Sequence, residues 1–162
     1  MNIETRLFGK IEIDISKVIN FESGIIGYNN LKQFMIVHDS DNEDSKILWL
    51  QSLDEGEMAL PVIDPLIVKP DYNPVVEDEI FKSIGEIVEN EVFVLTTLTV
   101  PSDITKITVN LKAPIVINPA TMRGCQIIVD NEKYLVKYPI YDIIKGNKSS
   151  DSSNINILGM EE

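Results

Sequence analysis

One histidine and one cysteine stand in a chain of 162 residues, so few kinds of catalysis are open to it. His38 has no second histidine to complete a metal site or to orient it as a base. A serine or cysteine nucleophile would therefore depend on His38 alone. No G-x-S-x-G elbow is present, and Cys125 lies just before the apolar run Ile127, Ile128 and Val129, which reads as a buried, inert thiol. Neither a Walker A loop nor a G-x-G-x-x-G turn occurs. Asp39-Ser-Asp-Asn-Glu-Asp44 begins like a calcium loop. However, Asp44 stands where that loop needs glycine, and Leu50 stands where it needs a bidentate glutamate. The residues thus predict no catalytic centre, no metal and no cofactor, and point to a binding protein rather than an enzyme.

What the chain does supply is carboxylate. It has 26 acids against 14 bases, a net charge of −12. Residues 51–100 hold 11 acids and only Lys69 and Lys82, whereas residues 101–162 hold seven of each sign. An acidic surface repels phosphate backbones, so no direct nucleic-acid binding is expected. It attracts a basic protein and speeds that encounter. Asp54, Glu55, Glu57, Asp71, Glu77, Asp78 and Glu79 are the candidate contacts; the plainer reading is that they serve solubility.

The elements that would carry these side chains are short strands. Ile3, Thr5 and Leu7 alternate, as do Ile11, Ile13 and Ile15, around a turn at Phe8-Gly9-Lys10, which predicts a β-hairpin. Strands are predicted over 31–37, 46–52 and 58–63, with the acidic turn Asp54-Glu55-Gly56-Glu57 between the last two. Pro61 lacks a ladder donor, which places its strand at an edge or a bulge. Residues 91–100 (EVFVLTTLTV) are the strongest strand, rich in β-branched side chains. Two more strands are read around Lys112-Ala113. A further hairpin is read from 125–129 to 134–138. The best helix is 77–84, with acids at its positive end and Gly85 after it. The fold class is mainly β: a compact antiparallel β barrel-like single domain with one or two short helices.

In the strand KILWLQS, Trp49 shares a face with Ile47 and Gln51, which reads as core rather than as a ligand-stacking ring. Asn110 reads as a turn-binding asparagine. The N-terminus has no apolar stretch of the signal-peptide kind, and no apolar run reaches the ~20 residues of a membrane span, so a cytoplasmic, non-membrane protein is expected. The domain is read as 1–143. Residues 144–162 are read as a flexible polar tail whose island Ile155-Asn-Ile-Leu158 is either a frayed end or a tethered peptide.

Several segments together resemble the FliW family of flagellar assembly factors. They are Phe21-Glu-Ser-Gly24-Ile-Ile-Gly27-Tyr28, then Leu48-Trp49-Leu-Gln51-Ser52 with Met58-Ala-Leu-Pro61-Val62, then Val94-Leu-Thr96 through Val100-Pro101 with Thr108-Val-Asn110-Leu-Lys-Ala-Pro114-Ile-Val-Ile-Asn118, then Gly124-Cys-Gln126-Ile-Ile128. They come in that family's order over residues 1–140; the tail after Tyr141 matches nothing in it. The resemblance implies a cytoplasmic monomer that binds CsrA, a basic translational repressor of flagellin messenger RNA, and that releases CsrA when flagellin binds. On this reading Phe21, Gly24, Gly27, Trp49, Gln51, Pro61, Asn110, Pro114 and Gln126 build the fold. Two other readings stay open: a flagellin chaperone that never meets the repressor, and a small enzyme of unknown reaction.

Overall fold

The computed structural model describes residues 1–38, 46–74, 82–85, 92–129 and 133–147. The chain runs β1 (Asn2–Thr5), β2 (Gly9–Glu12), β3 (Ile19–Phe21), β4 (Gln33–Val37), β5 (Leu48–Ser52), β6 (Ala59–Ile63), α1 (Pro65–Val68), β7 (Phe93–Thr99), β8 (Thr108–Val109), β9 (Ile115–Asn118), β10 (Arg123–Gln126), β11 (Tyr138–Pro139) and α2 (Tyr141–Asn147). The sheet order β9-β10-β3-β4-β5-β6-β7 closes on itself where β7 pairs β9, giving a seven-stranded barrel. Strands β8 and β11 continue outward from β7, and β1 and β2 form a separate hairpin. The fold is mainly β with two short helices, as the sequence predicts.

Closure depends on how β7 shares one edge. Phe93, Val94 and Leu95 pair β9, while Leu98 and Thr99 pair β8. The chain passes from β8 to β9 along that edge through Asn110, whose Oδ1 accepts from the N–H groups of Lys112 and Ala113 at 3.0 and 3.1 Å. This Asx-type turn serves the backbone donors that a sharp turn would otherwise leave unpaired. Among the described residues all pairings are antiparallel except β3 with β10, where Asn20 and Phe21 run parallel to Arg123 and Gly124.

Two apolar clusters lie on either side of the barrel wall. Phe21, Phe34, Leu50, Val62, Leu95, Ile115 and Ile117 belong to one; Ile47, Ile63, Leu98, Ile107, Val116 and Ile140 belong to the other, with residues from α1 and α2. The period-two alternation of the strands explains the split, since Leu50 falls in one cluster and Ile47 in the other. Phe21 and Phe34 meet edge to face, with centroids 5.3 Å apart. Gly124 lies beneath Phe21, where an added Cβ would stand 2.7 Å from its ring.

Several local expectations are revised. Pro61 is on β6, an internal strand of the closed barrel and not an edge. It is tolerated because the β6–β7 ladder takes in only Val62 and Ile63, so no ladder donor is missing at Pro61 on that side. Residues 125–129 and 134–138 do not pair with each other: β10 pairs β9 and β3, and β11 pairs β8. Most of the helix read over 77–84, and all of the loop 39–44, lie outside the described residues. α2 was not anticipated. The boundary read at 143/144 falls within it, and Ile144 is buried in the second cluster. Residues 148–162 lie outside the described part.

Candidate partner-binding surface

Leu53, Asp54, Glu55, Gly56 and Glu57 form the turn that joins β5 to β6. Ser52 organises it: its Oγ accepts from the N–H groups of Asp54 and Glu55 at 3.2 and 3.0 Å. Gln51, fully buried, donates from Nε2 to the carbonyls of Ser52, Gly56 and Met58. The β1–β2 hairpin rests against this turn, with Arg6 N–H donating to the Gly56 carbonyl at 3.1 Å. Phe8 meets Trp49 edge to face with centroids 6.2 Å apart, so Trp49 is only 2% exposed.

The predicted acids fall into three groups. Asp54, Glu55 and Glu57 share this turn and are exposed. Asp54 is also structural, because its Oδ2 accepts from the N–H groups of Lys32 and Gln33. Neither Glu55 nor Glu57 has a cation at ion-pair distance among the described residues. Asp71 stands apart, paired to Lys69 at 3.1 Å. That contact lowers the Asp71 pKa and raises that of Lys69. Glu77, Asp78 and Glu79 lie outside the described residues.

The segment after β3 builds a second feature. Gly24 has φ +69°, and an added Cβ would stand 2.6 Å from the Asn29 carbonyl oxygen, so the chain folds back there as only glycine permits. Gly27, at φ +89°, completes the turn, and Ile25 bridges Tyr28. Gln126 ties the loop to the barrel: its Oε1 accepts from Ile26 N–H at 2.8 Å, and its Nε2 donates to the Ala113 carbonyl at 3.0 Å. Pro114, next to Ala113, is buried at the entry to β9. Ile25 is buried, while Ile26 and Tyr28 remain 54% and 41% exposed.

Beside this loop lies a cleft of about 510 Å³ lined by Asn20, Phe21, Glu22, Lys32 and Arg123. Lys32 Nζ donates to the Glu22 carbonyl at 2.9 Å. Neither Lys32 nor Arg123 has a carboxylate at ion-pair distance among the described residues. Sequence reasoning missed this cleft. Its cations come from distant positions, and only the β3–β4 and β3–β10 pairings bring them together. Cys125 is half-buried and its thiol pKa is raised, mainly by desolvation. No cluster of three metal-binding side chains occurs among the described residues, and no described helix is long and apolar enough to cross a membrane.

The FliW protein family profile matches residues 2–140. The flagellar assembly factor FliW of Lachnoclostridium phytofermentans is 48% identical over 143 residues, covering 88% of this chain and 92% of that protein. The flagellar assembly factor FliW of Lachnospira eligens is 48% identical over 147 residues, covering 90% and 97%. A crystal structure of a flagellar assembly factor FliW superposes with a TM-score of 0.79 at 30% identity, covering 87% of this chain and 97% of that one. With the barrel, the four motif segments and these matches in agreement, the chain belongs to the FliW protein family.

Proposed function

We propose that this chain is a flagellar assembly factor that works in the cytoplasm by binding two protein partners in exchange, and not by catalysis. One partner is a basic translational repressor of the CsrA type, which this chain holds away from flagellin messenger RNA. The other is flagellin, whose binding releases the repressor. Family membership supports the assembly role. The observation that carries the finer reading is the β5–β6 turn, where Glu55 and Glu57 are exposed without a paired cation among the described residues. Such charge acts mainly on the rate of meeting a basic partner. Partner exchange further requires that each partner favour a different bound state or occupy overlapping surface.

The test is titration of the purified protein with the repressor and with flagellin, separately and together. The reading expects each to bind alone and flagellin to displace the repressor. Flagellin binding with no repressor binding would leave a chaperone. A stable ternary complex with unchanged affinities would remove the exchange. A Glu55→Lys, Glu57→Lys variant is expected to associate more slowly with the repressor at low salt, the difference shrinking as the screening length falls from ~10 Å at 0.1 M to ~3 Å at 1 M.

A further inference from the structure

We propose that the loop after β3 and the adjoining cleft form a second docking surface, for a protein segment that carries an apolar side chain beside a carboxylate. Three observations converge on it. Ile26 and Tyr28 are large apolar side chains left more than two-fifths exposed, on a loop that is otherwise tightly tied down. The tie is a single side chain: Gln126 bonds the loop at Ile26 and the barrel at Ala113. The neighbouring cleft carries two cations, Lys32 and Arg123, against one acid, Glu22; neither cation has a carboxylate at ion-pair distance among the described residues, in a chain whose net charge is −12.

Each feature has a consequence for binding. A loop held in place before the partner arrives loses little conformational freedom on docking, so more of the contact energy appears as affinity. Tyrosine and arginine are the residue types that most often carry interface energy. Two cations with no carboxylate at ion-pair distance among the described residues favour an acidic segment, since a basic one would meet like charge. The surface is therefore chemically opposite to the turn at Glu55 and Glu57. The two features suit partners of opposite charge, and under the function proposed above flagellin is the partner assigned to the cationic surface.

The experiment uses the full chain, with flagellin and the repressor as probes. Arg123→Glu combined with Lys32→Glu reverses the cleft, and Ile26→Asp, made separately, removes the apolar contact. All three side chains are exposed, and thermal melts check that each variant is folded. The expected result is at least a tenfold weaker flagellin complex for each variant, with repressor affinity changed less than twofold. Wild-type flagellin affinity in both variants would overturn the surface and leave the proposed function standing. Equal losses for both partners in folded variants would also overturn it. Failure of the wild-type protein to bind flagellin at all would overturn the proposed function, and this assignment with it.

Discussion

The Asp54 carboxylate accepts the backbone N–H groups of Lys32 and Gln33, at 2.7 and 2.9 Å. It thereby ties the acidic β5–β6 turn to the start of β4 and to the residue that lines the cationic cleft. Asp54 thus differs from Glu55 and Glu57, whose side chains accept from no part of the chain outside their own turn among the described residues. Asp54→Ala is expected to cost about 1 kcal/mol, because two exposed backbone donors lose a charged acceptor but regain water. Asp54→Asn, which keeps a carbonyl acceptor, is expected to cost less. Urea denaturation of both variants checks the order.

Trp49 is the only tryptophan, which makes its surroundings directly readable. Trp49→Ala is expected to cost roughly 3–5 kcal/mol, as for other buried large-to-small changes. Phe8→Ala should destabilise less but shift the Trp49 emission to longer wavelength and raise its quenching by acrylamide. An unchanged melting temperature for Trp49→Ala would show that the ring is not core.

Gly24 and Gly27 both have positive φ, but their surroundings differ. At Gly24 a Cβ meets the Asn29 backbone at 2.6 Å, while at Gly27 nothing lies within 4 Å. Gly27→Ala therefore bears only the left-handed backbone cost, roughly 1–2 kcal/mol. Gly24→Ala bears that cost and a backbone clash that no rotamer change relieves. The expectation is a clearly lower melting temperature for Gly24→Ala than for Gly27→Ala.

Tyr72 donates its hydroxyl proton to the Leu111 carbonyl at 2.7 Å, and its ring packs on Tyr134. Desolvation, with a smaller contribution from Tyr134, raises its pKa well above the ordinary tyrosine value. The protonated form is thus favoured in the folded chain. Its contribution is fully present below pH 10, and is lost as the pH climbs from there toward the raised folded value. Tyr72→Phe is expected to lose about 1 kcal/mol at neutral pH, where Leu111 is left without its donor. The variant should also show a shallower fall in stability above pH 10, read by denaturant titration across pH.

Thiol titration gives a simpler check. Desolvation outweighs the hydrogen bond from Ser83 and raises the Cys125 pKa. Since the thiolate is the reactive form, Cys125 in the folded protein should react with Ellman's reagent more slowly than the same thiol in denaturant. A rate equal to that of the denatured chain would contradict the burial.

Much of the barrel was legible because strand signals are local. Alternation placed Ile47, Trp49 and Gln51 on one side of β5, and β-branched density marked β7. The turn chemistry of Asn110 could likewise be read from its neighbours, since an Asx turn needs only the next few donors. Strand partners could not be read this way. Whether β10 pairs β9 or residues near β11 depends on contacts between distant segments, and a local pattern contains no term for them. Pro61 shows the same limit: its missing N–H argued for an edge strand or a bulge, yet only the length of the β6–β7 ladder decides whether that donor is needed. The sequence by itself determined a β-rich, acidic chain with an acidic turn at Asp54-Glu55-Gly56-Glu57. Only the tertiary structure brought Lys32 and Arg123 to one cleft and committed Asp54 to the backbone of β4, because both depend on strand pairing, which local residue preferences do not specify.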